Sequence, residues 1–127
     1  MRVLVFGTFD QFHPGHQFVL TEALRHGTLT VIIARDATVE RIKGRLPVQD
    51  EISRKAAVQN FVPAAQVLLG DTTDYLKPVH TAQPDLILLG YDQELPLGIS
   101  LDDLPCPMER LPAFLPELHK SSLRRPA

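Results

Sequence analysis

Three observations in this chain predict an α/β domain built on a doubly wound parallel sheet. Short apolar runs rich in β-branched residues recur along it, segments of helical spacing separate them, and a polar, glycine-bearing loop follows the first run. Strands apolar on both faces belong to a parallel sheet covered by helices. Right-handed crossovers then place ligands beyond the carboxyl ends of the strands.

The first strand is read over Val3 to Phe6, and a helix over His16 to His26 carries Phe18, Val19, Ala23 and Leu24 near helical spacing. Gly27 follows where a left-handed C-cap would stand. Leu29 to Ala34 reads as the second strand, which completes one βαβ unit. Ile52, Ala56 and Val58 suggest a helix between Asp50 and Phe61, with Asp50 as its cap, and Gln66 to Leu69 is a shorter strand. Asp71 and Asp74 predict an N-terminal cap for a helix over Thr72 to Ala82, which Pro78 should kink or shorten. Leu86 to Leu89 is the last clear strand, so the loops at Gly7, Arg35, Gly70 and Gly90 should share one rim. Six of the 11 prolines fall at positions 96, 105, 107, 112, 116 and 126, so residues 94–127 read as a proline-rich lid or tail with at most a short strand.

With 127 residues the chain fits a single domain spanning 1–127. A formal charge of −2 offers no basic field for nucleic acid, and no apolar run approaches the roughly 20 residues that span a bilayer. Cys106 stands alone, so the chain carries no internal disulfide and no cysteine-based zinc site, and with no secretory leader visible it reads as cytoplasmic.

The chemistry concentrates in residues 7 to 16, GTFDQFHPGH, where the first strand opens into a helix start. Neither GxxxxGK[ST] nor GxGxxG is present. Two imidazoles, His13 and His16, flank Pro14 and Gly15, and several backbone N–H groups should be free at the helix N-terminus, a combination suited to polyphosphate. Thr8 and Phe9 add amides next to Gly7, and Gly15 lets the main chain come close. Histidines three apart also fit a zinc site, but no third ligand lies near, so no resident metal is expected. Lys43, Arg45 and Arg54 are candidates to neutralise a triphosphate or an acceptor phosphate, and Asp10 fits the acceptor side or a cap on loop amides. Asp92, at the end of the last strand, suits a ribose or base.

GTFD followed by HPGH resembles the HxGH signature of the cytidylyltransferase-like nucleotidyltransferase superfamily. The resemblance continues in Ala34-Arg35-Asp36, Lys43-Gly44-Arg45, Arg54 and Gly90-Tyr91-Asp92-Gln93, segments similar to archaeal-type FAD synthase and to glycerol-3-phosphate cytidylyltransferase. It implies a Rossmann-like fold and the transfer of a nucleotidyl group from ATP or CTP to a phosphorylated small-molecule acceptor, most nearly FMN, with pyrophosphate released. His13, His16 and Lys43 would then be catalytic, substrate-bound Mg2+ the metal, and a homodimer the expected assembly. A fainter similarity at Lys120-Ser121-Ser122-Leu123 implies that Ser121 and Ser122 open a phosphate-holding helix, of which the chain to Ala127 leaves room for a stub. A nucleotide-binding module without turnover is the alternative.

Overall fold

The computed structural model describes residues 1–90, 93, 95 and 99–112. It contains β1 (Arg2–Gly7), α1 (Pro14–Leu24), β2 (Thr28–Ile33), α2 (Asp36–Lys43), α3 (Glu51–Phe61), β3 (Gln66–Leu69), α4 (Leu76–Ala82), β4 (Leu86–Leu89), a 3-10 turn at Leu101–Asp103 and β5 (Met108–Arg110). The strands form one sheet in the order β3-β2-β1-β4-β5, every adjacent pair parallel. This is the doubly wound architecture that the apolar runs predict.

Alternation along each strand explains why the runs are apolar throughout. Val3, Val5, Val31, Val67 and Leu88 point to one face, where Leu20 and Ala23 of α1 and Val58 of α3 cover them. Leu4, Phe6, Ile32, Ile87 and Leu89 point to the other, against Val79 of α4. Both faces are buried over the central strands β1 and β4, so those strands show no polar alternation.

The carboxyl ends of the strands are tied into a single rim. Ala34 N–H donates to the Gly7 carbonyl at 3.0 Å, and Gly70 N–H donates to the Ile33 carbonyl at 2.8 Å. Where the strand order reverses between β1 and β4, the Gln93 side chain accepts from Gly90 N–H at 3.1 Å and donates to the Phe6 carbonyl. A crevice at this switch point is the expected ligand position in such a sheet.

Four local expectations are corrected. Asp36–Lys43 is helical, a segment the apolar pattern left unassigned because its buried face is only Thr38 and Val39. The helix expected from Thr72 begins at Leu76, because Asp71 accepts the Thr73 and Asp74 N–H groups, each at 2.9 Å, and so closes a turn. Pro78 therefore sits in the first turn of α4, where its missing N–H costs nothing. Gly27 is no left-handed cap: its φ is +151°, and a Cβ there would lie 2.1 Å from the Met1 carbonyl oxygen. The proline-rich stretch supplies one short strand, β5, on the sheet edge.

Candidate active site

Both site histidines are set by the start of α1. His13 is the N-cap, and its Nδ1 accepts the Gly15 N–H at 3.1 Å. His16 occupies the third helical position, and its Nδ1 accepts the His13 N–H at 3.3 Å. The two rings form a reciprocal capping box in the manner of a serine and a glutamate. An accepting Nδ1 is unprotonated, so each neutral ring carries its proton on Nε2. The rings stack with centroids 3.7 Å apart and planes 21° apart. The pair thus offers two adjacent Nε2–H donors.

This capping box corrects the expectation of several free amides at the helix start. Pro14 has no N–H, and the imidazoles take those of His13 and Gly15, so part of the anion-binding capacity passes from the backbone to the rings. Gly15 is explained the same way, since a Cβ at that position would lie 2.9 Å from His13 Cε1. Its small size makes room for the capping ring.

His16 is wedged between aromatic rings, edge-on to Phe9 at 5.3 Å and stacked with Phe12 at 5.7 Å; Phe12 in turn meets Phe61. Burial, helped by His13 and Lys43 and opposed by Asp10, lowers its pKa to about 4. The ring is neutral at pH 7. Phe9 is buried and holds a left-handed backbone with φ 54°, as does Gln11 with φ 50°, so the loop between β1 and α1 is tightly shaped.

Three loops are stitched around this point. The Asp10 carboxylate accepts the N–H groups of Val48 at 2.8 Å and Gln49 at 2.9 Å, and Gln11 N–H donates to Gln49 Oε1 at 3.0 Å. Burial alone would raise the Asp10 pKa, but these amides and Arg54 outweigh it and hold the carboxyl below its ordinary value. Asp10 therefore caps loop amides. The stitched loop follows Lys43 and Arg45, which are exposed and make no ion pair among the described residues. Lys43 lies close enough to His16 to disfavour its protonation.

Arg54, expected to meet a phosphate, is instead fully enclosed, with 0% exposure. It donates to the Gln49 carbonyl at 3.0 Å, the Thr8 carbonyl at 2.8 Å and Asp36 Oδ1 at 2.7 Å. A guanidinium so committed shapes the loop and cannot reach an anion from that position. Glu51 completes the arrangement, accepting from Asp36 N–H at 2.8 Å and from Arg35 at 2.9 Å, while Arg35 also donates to the Gly70 carbonyl at 2.7 Å.

Arg35, Asp36, Glu51 and Gln93 are thus contributors for which the sequence suggests no role. Arg35, Asp36 and Gln93 lie in segments that carry the family resemblance, without a role attached, whereas Glu51 is signalled only by its place in the first turn of α3. Asp92, Ser121 and Ser122 lie outside the described residues.

A parallel sheet whose first crossover helix begins on two imidazoles beside cationic loops has the architecture of a nucleotide-binding α/β domain. The cytidylyltransferase-like family model matches residues 4–104, and the chain belongs to that family. It is 43% identical over 95 residues to the FAD synthase of Aciduliprofundum boonei, an alignment covering 74% of this chain and 63% of that protein. Among solved structures it is similar to the lipopolysaccharide core biosynthesis protein of Thermoplasma volcanium, with 33% identity, a TM-score of 0.79, and coverage of 91% of this chain and 98% of that one. A macrolide-efflux protein of Streptococcus pneumoniae shares the fold, with 18% identity and a TM-score of 0.64 over 97% of this chain and 50% of that one.

Proposed function

We propose that this chain carries an FMN adenylyltransferase site, joining the adenylyl group of ATP to the phosphate of FMN with release of pyrophosphate. The observation that carries this reading is the 43% identity to an FAD synthase, in a chain whose two loop histidines stand side by side at the helix start, each with its Nδ1 accepting a backbone N–H. In the reaction an FMN phosphate oxygen attacks the α-phosphorus of ATP. One P–O bond forms as the bridge to the β-phosphate breaks, and the electron pair leaves with pyrophosphate. The acceptor is already ionised, so no side-chain nucleophile is required, and alignment with charge stabilisation lowers the barrier.

The Nε2–H groups of His13 and His16 donate to phosphate oxygens as charge moves toward the leaving group. Lys43 neutralises the triphosphate, and Arg45 does the same for the acceptor phosphate. Gly7, Thr8, Phe9, Pro14 and Gly15 hold the shape of the phosphate loop. Asp92 is assigned to the ribose or base, and Ser121 and Ser122 to the nucleotide phosphates.

Mg2+ fits this site as a companion of the triphosphate. No group of three or more His, Cys, Asp or Glu side chains among the described residues could hold a metal, and Asp10 is occupied by amides. When bound, the ion offsets phosphate charge through substrate oxygens and water.

The test is pyrophosphate release across the four nucleoside triphosphates with FMN and with glycerol 3-phosphate. The proposal expects turnover with ATP and FMN; CTP with glycerol 3-phosphate would transfer it to cytidylyl chemistry, and binding without turnover to a regulatory module. We further assign a homodimer and a cytoplasmic setting. Light scattering that returned a monomer at working concentration would remove the dimer.

A further inference from the structure

A groove of about 450 Å³ lies beyond the carboxyl end of β3, the outermost strand of the sheet on that side. Its apolar part comes from Leu68 and Leu69 of β3 and Pro78 of α4, all half-buried. Three cations line it: Arg35, Lys55 and Lys77. In a chain whose formal charge is −2, this is a local excess of positive charge.

The three cations are not equivalent. Arg35 is committed to Glu51 and the Gly70 carbonyl. Lys55 and Lys77, one from each of the helices beside the strand, make no ion pair within 4.0 Å and no side-chain hydrogen bond among the described residues, and Lys77 lies near enough to the Asp71 carboxylate to help hold it ionised. Asp71, the carboxylate lining the groove, is occupied by the Thr73 hydroxyl at 3.1 Å and the N–H groups of Thr73 and Asp74. The volume falls in the range of small-molecule sites, which run from roughly 300 to 1,000 Å³.

We propose that this groove is a second ligand site, which takes a phosphate monoester with an apolar body. Lys55 and Lys77 hold the dianionic phosphate, and Leu68, Leu69 and Pro78 receive the apolar part. A phosphate monoester, which carries close to two charges at neutral pH, suits a groove in which three cations face the single carboxylate of Asp71. The site uses none of the residues of the histidine loop, and the proposal stands whether or not the chain adenylates FMN.

Carbon-13 NMR titration of the full chain with phenyl phosphate tests it, with inorganic phosphate and benzyl alcohol as comparison probes. The Leu68 and Leu69 methyl signals should shift with phenyl phosphate in the wild type and equally in His16→Ala. The double variant Lys55→Ala/Lys77→Ala should weaken that binding at least about tenfold, the equivalent of ~1.4 kcal/mol. Both comparison probes should bind more weakly than phenyl phosphate. Shifts confined to residues 7–16, undiminished binding by the double variant, or inorganic phosphate or benzyl alcohol binding as tightly would each overturn the proposal.

Discussion

His16 is neutral at physiological pH because its ring is sandwiched by Phe9 and Phe12 and stacked on His13, and that neutrality decides how it can act. A neutral ring with Nδ1 occupied keeps Nε2–H as a donor, so turnover should show no titration of His16 between about pH 8 and pH 5. An acidic limb near pH 6.5 that disappears in His16→Gln would show otherwise. The stability effect follows from proton counting: its pKa falls from 6.5 to about 4 on folding, so between those values the unfolded chain binds more protons. Stability should therefore fall as pH drops through that window, and fall less in His16→Gln, as urea denaturation at several pH values would reveal. If both rings donate in the transition state, His16→Ala lowers kcat/KM at least about tenfold, and unchanged kinetics would refute its assigned role. Arg54 belongs to another class. Arg54→Met strips Asp36 and the Thr8 carbonyl of their donor, so it should cost at least about 2 kcal/mol in denaturant unfolding, far more than a surface charge would.

At the scale of elements, α1 begins where it does because a residue that cannot donate, Pro14, follows a residue whose side chain accepts. The capping box makes helix start and phosphate loop one object, so a change in one is felt in the other. Gly15→Ala is the discriminating case. Alanine favours the helix by roughly 1 kcal/mol over glycine, yet its Cβ would press on the His13 ring at 2.9 Å. Expected are a retained helical circular-dichroism signal and weakened ATP binding by calorimetry; unaltered binding would mean that the His13 position is immaterial. The start of α3 is tied down in parallel, with Asp50 capping Ser53 N–H at 2.7 Å and Glu51 spanning Asp36 and Arg35. Through these contacts α2 and α3 are fixed against the loop at Thr8. The short β5 extends the sheet beyond β4, and its last residue, Arg110, donates to the Gly90 carbonyl at 3.1 Å, which braces the switch point.

Across the whole molecule, five parallel strands give a rigid rim on which loops of different origin meet, so groups 30 or more positions apart act together. Because the metal is assigned to the triphosphate, excess EDTA should abolish pyrophosphate release while leaving the melting temperature of the free protein unchanged; a lowered melting temperature would reveal a resident ion. Several features were legible in order along the chain: the apolar runs became β1 to β4, Asp50 became a cap, and HPGH stood at a strand-to-helix junction. α2 was not legible, because it buries too few residues to leave a helical stripe. By itself the sequence determined the parallel sheet, the position of the histidine loop and the resemblance to nucleotidyltransferases, since all three are written in local periodicity and short spacing. Only the tertiary structure decided that Arg54 and Asp10 are braces, that each imidazole keeps its proton on Nε2, and that Lys55 and Lys77 line a groove at β3. Those outcomes depend on which distant carbonyl, carboxylate or ring each group meets, and burial together with partner geometry sets that.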